Sequence, residues 1–289
     1  MGAQVFDNMA AREPNLRVLR NSSIKKMEKL DNGWRVSTSG GDFTCRILID
    51  CTELGDIARM AGVRYDIGNG RGIVQDMTYV ITIEDFGPDA DRTIPEPEGY
   101  DAAKYANCCA NSLNSPDFEK DQPMWSPEMM LSYGRLPGGK VMLNWPVEAN
   151  DFYADIIDAS PEERAAALRA AKNRALGYLY FIQTGLGLKN WGIAEGEYPT
   201  DDGLPLIPYY RESRRVEGEA RFTYDAAAHP YDAEEPLYRT GIAVGDYPVD
   251  HHHYAHLEWR TLHKSYSPIP SFAVPAGSMI PVGVEDLIV

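Results

Sequence analysis

The chain has 289 residues, 44% of them hydrophobic, and its 43 acidic against 28 basic side chains give a net charge of −15 and a pI near 4.8. That length buries a large core, ordinarily as about two domains, and nothing in the composition suggests disorder. So acidic a balance excludes the basic footprint that nucleic acid or an anionic membrane surface demands. No run approaches the roughly 18 apolar residues of a membrane span, so a small molecule is the favoured partner.

In chain order, Leu16 to Arg20 reads as a short strand, and Ile24 to Leu30 and Trp34 to Thr38 flank the turn Asp31-Asn32-Gly33. An Asn-Gly pair supplies the positive φ values that a tight hairpin needs. Phe43 to Asp50 returns after Ser39-Gly40-Gly41 and completes a meander. Its end, Ile47-Leu48-Ile49, runs into Asp50-Cys51-Thr52-Glu53-Leu54-Gly55-Asp56 and then a helical segment from Ile57. A strand that ends in small and acidic residues before a helix is how an open parallel sheet offers its carboxyl edge to a nucleotide-type ligand. A plain strand-turn-helix corner would share the apolar run and the glycine.

Residues 76 to 83 alternate, with Met77, Tyr79, Ile81 and Ile83 opposite Thr78, Val80 and Thr82. That is the period of a half-buried strand, and it opens a second domain. Glu84 to Pro137 is rich in Pro, Asp and Gly and reads as loops with short elements. Lys140 to Trp145 is an apolar strand. Ser160-Pro161-Glu162-Glu163 predicts a capped helix start, with Leu168, Ala171, Ala175, Leu179 and Ile182 as its core stripe and Gly185 as its stop.

Two clusters carry the most chemistry. Arg211-Glu212-Ser213-Arg214-Arg215 offers planar guanidinium forks that suit a carboxylate or phosphate, and Arg211 and Arg214 share one face if the segment is helical. The competing reading is a solvated face on which the arginines pair with Glu212, Glu217 and Glu219. The second cluster is Asp250 followed by His251, His252, His253 and, further on, His256. His252 and His256 have the spacing of two metal ligands on a helix, but no convincing third ligand stands nearby, so no metal is assigned. Cys45, Cys51, Cys108 and Cys109 lack zinc-site spacing and read as free thiols, which favours a reducing, cytoplasmic compartment. A signal peptide ahead of Met1 would instead direct the protein to the periplasm or outside the cell.

Several stretches resemble one family. "LIDCTELGDIARMAGVRYDIG" (Leu48 to Gly68) is similar to the internal flavin-contacting segment of the FAD-dependent oxidoreductases. "LPLIPYYRESRRVEGE" (Leu204 to Glu219) and "GDYPVDHHHY" (Gly245 to Tyr254) resemble two further blocks of that family, in the same order. With the tail "VPAGSMIPVGVEDLIV", the likeness runs from about Leu16 to Val289. One departure stands out: Cys51-Thr52-Glu53 replaces the Ala-Thr-Gly of many relatives, and Gly55 follows two positions later.

The resemblance implies FAD as cofactor, with Asp50, Cys51, Thr52, Glu53, Gly55 and Asp56 contacting it. It further implies Arg211, Arg214 and His251 on the substrate, and His252 as a base oriented by Asp250. Those two residues are expected near the Thr52 to Asp56 turn. The fold class it implies is α/β (α+β overall): a partial Rossmann-like FAD-binding layer with a β-meander, carrying an inserted β-rich, partly helical substrate domain. The expected boundaries are 1–75 and 246–289 for the FAD-binding part and 76–245 for the insertion, with Leu48 and Leu287 in contact. No Gly-x-Gly-x-x-Gly turn precedes Asp50, and the chain ends in an apolar run at Val289. The 289 residues are therefore expected to be the middle of a larger enzyme, holding FAD weakly and inactive by themselves. The implied reaction is oxidation of a small polar or anionic metabolite by hydride transfer to flavin. The alternatives are a non-catalytic remnant and a hydrolase of a sugar-like substrate using Asp201 and Asp202. The second is weakened because adjacent side chains in an extended segment point apart.

Overall fold

The computed structural model describes residues 2–68, 70, 72–105, 127–144, 149–232, 234, 236–247 and 269–289. In chain order its elements are α1 (Gly2–Ala11), β1 (Ile24–Leu30), β2 (Gly33–Thr38), β3 (Gly41–Cys45), β4 (Leu48–Ile49), α2 (Asp56–Met60), β5 (Tyr65–Ile67), β6 (Met77–Thr78) and β7 (Ile81–Asp85). They continue with α3 (Pro127–Tyr133), β8 (Lys140–Leu143), β9 (Asp151–Phe152), α4 (Pro161–Thr184), β10 (Trp191–Ile193), β11 (Arg214–Val216), α5 (Tyr224–Ala228), β12 (Gly241–Gly245), β13 (Phe272–Pro275) and β14 (Leu287–Ile288). Two compact units result: residues 1–65, 216–245 and 271–289 form the first, and residues 66–215 and 246–270 the second.

In the first unit, β1, β2 and β3 form the expected antiparallel meander. The β1–β2 turn depends on glycine, because Gly33 has φ 104° and a Cβ there would lie 2.0 Å from the Cys45 carbonyl oxygen. Gly33 alone supplies the positive φ; Asn32 does not share it. Leu16 to Arg20 is not a strand. All five residues are exposed, so neither a buried face nor a ladder holds them extended. The single return strand expected over Phe43 to Asp50 is two strands. β3 closes the meander, the chain bends at Arg46 and Ile47, and β4 pairs in parallel with β14, matching Leu287 to Leu48 and Ile288 to Ile49. The expected contact between Leu48 and Leu287 is therefore present. Trp34, Val36, Ile57, Ala58, Val63 and Leu287 make the core of this unit.

In the second unit, β7 lies between β10 and β8 with both partners antiparallel, and β6 pairs with β9. The alternation over residues 76 to 83 is present, but it breaks after Thr78, and both faces are covered. Thr78 and Thr82 are 0% and 2% exposed, and their hydroxyls bond Asp151 and Tyr198. Helix α4 begins with the expected capping box. The Ser160 hydroxyl accepts the Glu163 N–H, and the Glu163 carboxylate accepts the Ser160 N–H. Ala171, Ala175, Leu179 and Ile182 are fully buried, and α4 packs on β6 and β9. Within Glu84 to Pro137, α3 is a helix of seven residues, one of the short elements expected among the loops. No described helix is long and apolar enough to cross a membrane.

Candidate functional site

At the carboxyl end of β4 the chain braces itself. Asp50 is 6% exposed, and its N–H donates to the Ile288 carbonyl at 2.7 Å, the last bond between β4 and β14. One carboxylate oxygen accepts the Thr52 N–H at 2.8 Å and the Thr52 hydroxyl at 2.6 Å, and the other accepts the Ala58 N–H at 2.8 Å. The Thr52 hydroxyl in turn accepts the Asp56 N–H at 2.8 Å. Gly55 enters α2 in the left-handed region, with φ 66°. Two N–H groups in the first turn of α2 are thus taken by the protein's own side chains, and a phosphate cannot use them. Cys51, Thr52 and Glu53 are exposed. The outward surface of the turn is polar and acidic, suited to hydroxyl groups and to the uncharged part of a nucleotide.

β14 is fixed beside this edge by Asp286. Its carboxylate accepts from Lys29 Nζ at 2.7 Å and from the Gly33 N–H at 3.1 Å. Its carbonyl accepts from Trp34 Nε1 at 3.0 Å and from the Leu48 N–H at 2.9 Å. The bond from Lys29 holds the Asp286 carboxyl below the usual carboxylate range, with the Lys29 charge, the Gly33 N–H and the Arg46 charge adding to it against some desolvation. A carboxyl depressed in the folded state stabilises the fold above its unfolded pKa, about 3.9, and loses that contribution as pH falls through the folded value. Urea unfolding followed by tryptophan fluorescence should show the first unit losing stability as pH falls below about 5 and on through the lowered Asp286 pKa. Asp286→Asn should flatten that slope, and an unchanged slope would remove Asp286 as its source.

In the second unit, the Arg211 block is not helical. Residues 211 to 213 are irregular and β11 begins at Arg214. Paired backbone bonds between Thr78 and Tyr209 bring the block to β6. Arg211 donates to the Asp76 carbonyl at 2.7 Å and faces Asp151 at 3.5 Å, with side-chain exposures of 7% and 5% for the ion pair. The fully covered Arg214 side chain donates to the Ile157 carbonyl and, at 2.8 Å, to Asp158. Arg215, 53% exposed, pairs with Glu212 at 3.0 Å, and Gln75 donates to the same carboxylate at 2.9 Å. Val74, Met77, Ile156, Tyr210, Arg211 and Glu212 line a cleft of about 10 Å³, room for one water-sized body. Burial beside Tyr210 and Asp202 pushes the Tyr79 hydroxyl up to about 12, so it remains a neutral donor near neutral pH.

A family model described as FAD dependent oxidoreductase matches residues 1–289. The chain belongs to that family. No curated protein and no solved structure matches it. The cofactor class of the family is FAD, which agrees with the parallel carboxyl edge at β4 and β14. The exposed polar side chains of the turn, Thr52 and Glu53, offer hydrogen-bond partners to hydroxyl groups. The turn does not fit the diphosphate, since Asp50 to Asp56 contains two acidic residues beyond Asp50, Glu53 and Asp56, and no basic one.

Asp250, His251 and His252, the expected base cluster, lie outside the described residues, as do His253, His256, Cys108, Cys109 and Trp145. Cys45 and Cys51 are free thiols. Asp202 is unsuited to acid catalysis. Burial works to raise its carboxyl, but Lys172 at 2.6 Å, the Leu204 N–H at 3.0 Å and Thr200 outweigh it and hold it below the usual range. Sequence reasoning missed Asp286, Asp151, Asp76 and Gln75. Each is separated from these partners by more than 50 residues, and although Asp286 stands in the tail that resembles the family, nothing in that stretch points to Lys29 or Gly33.

Proposed function

We propose that the chain serves an oxidation in which a small polar or anionic metabolite gives up a hydride to FAD. The observation that carries this reading is the parallel β4–β14 edge capped by a turn whose amides are consumed internally and whose outer face is polar. Open α/β sheets bind nucleotides outside such strand ends. FAD, when bound, supplies the hydride acceptor, and the protein supplies orientation, a base and an electrostatic anchor.

In this reading Cys51, Thr52, Glu53 and Asp56 face the cofactor's hydroxyl-bearing part, while Asp50 and Gly55 shape the turn. Arg211 lines the cleft and anchors the anionic group, Arg214 supports the cleft wall from beneath, and His251 adds a donor. His252 takes the proton released on oxidation, with Asp250 fixing its tautomer. A metabolite needs far more than about 10 Å³, so the cleft must widen to admit it. The pairing of Lys172 with Asp202, which holds that carboxyl below the usual range, weighs against the hydrolase reading.

The test is a titration of the purified chain into FAD, followed by flavin fluorescence and visible absorbance. A weak but saturable change in flavin fluorescence is expected. The absence of any saturable change up to about 1 mM protein would sink the flavin reading.

A further inference from the structure

The β4–β14 ladder is only two residues long on each strand. So short a parallel pair holds its own register poorly. A slip by one residue would turn Leu287, 3% exposed, out of the core and displace the strand end by about 3.3 Å. Asp286 stands at the entrance to β14 and is tied on two sides. Its carboxylate reaches Lys29 and Gly33 in the β1–β2 hairpin, and its carbonyl reaches Trp34 and Leu48. It makes these bonds from left-handed backbone, φ 59°, a region that Asp tolerates better than most residues. The hairpin it grips is itself set by the steric requirement at Gly33. A rigid turn some 250 positions earlier therefore measures out where β14 begins.

We propose that Asp286 is the positioning residue of the flavin-facing edge: by bridging the β1–β2 turn and β4, it holds β14 in the register that sets Ile288 beside Asp50. It touches no cofactor and acts through β14. The proposal rests on the flavin reading above.

The experiment compares the full chain with Asp286→Gly, Asp286→Asn and Lys29→Met. Glycine keeps the positive φ and removes the carboxylate. Asparagine tolerates the same φ and still accepts the Gly33 N–H. Two quantities are read: hydrogen exchange at the Leu48 and Asp50 amides, and FAD affinity per folded molecule, with the folded fraction taken from circular dichroism. Asp286→Gly should speed exchange at both amides and weaken FAD binding by about tenfold, the size of one lost charged hydrogen bond. Asp286→Asn should recover most of the affinity, and Lys29→Met should fall between them, which keeps the test decisive if the glycine variant fails to fold. Unchanged exchange, or variant affinities equal to that of a wild-type chain that binds FAD, would overturn the proposal alone. A wild-type chain indifferent to FAD would overturn the flavin reading and this proposal with it.

Discussion

Arg211→Ala is expected to cost the second unit about 3–5 kcal/mol, the range for breaking a buried ion pair by removing one partner. The Asp151 carboxylate is 5% exposed, so it cannot recover hydration once the guanidinium is gone. The Asp76 carbonyl loses its 2.7 Å donor at the same time. Arg211→Lys keeps the charge, but one ammonium cannot reproduce a planar fork that serves a carbonyl and a carboxylate together, so it should recover only part of the loss. The comparison is Arg35→Ala. Arg35 and Glu28 are each 49% exposed, and their 3.1 Å pair should be worth less than about 1 kcal/mol. Urea denaturation by circular dichroism measures both. If Arg211→Ala left the midpoint unmoved, its guanidinium would have no bracing role, and any loss of turnover would belong to substrate contact alone.

Asp50→Asn should destabilise the first unit by about 2–3 kcal/mol although it is nearly isosteric. Both carboxylate oxygens accept backbone N–H groups, from Thr52 and from Ala58. Whichever way an amide is flipped, its NH₂ must face one of those donors. Ala58 is 0% exposed, so water cannot satisfy its N–H. Asp50→Ala leaves all three donors without their acceptor and should cost more. Thr52→Val, which removes one hydroxyl that donates to Asp50 and accepts from Asp56, should cost about 1 kcal/mol. Thermal unfolding orders the three variants. An Asp50→Asn chain as stable as wild type would show that the carboxylate is free for a ligand, not committed to the turn.

Much of the local structure was legible in the sequence because its causes are local. The capping box at Ser160 and Glu163, the buried stripe of α4 and the meander from Ile24 to Cys45 each depend on spacing or on turn chemistry within a few residues. The family, too, was legible, from blocks whose order survives along the chain. Failures came where one local signal admits two tertiary outcomes. Leu16 to Arg20 has strand-like residues and no strand beside it. Phe43 to Asp50 is one apolar run that the fold divides between an antiparallel meander and a parallel pair. The alternation at residues 77 to 83 predicted one wet face, and the structure covers both.

The sequence by itself determined that an apolar strand meets a polar, glycine-containing turn at Asp50 to Asp56, and that Arg211 to Arg215 concentrate positive charge on an acidic chain. Helical spacing and turn residues act over a few positions, so they can be read directly. Only the tertiary structure decided what those groups do for one another. It turned the Asp50 carboxylate inward onto Thr52 and Ala58, set Asp151 under Arg211 across 60 residues of chain, and brought Asp286 to Gly33 across 253. Partners so far apart in sequence leave no periodicity to read. Their pairing is fixed by burial, where an unmatched charge or amide costs several kcal/mol, and burial exists only once the chain has closed.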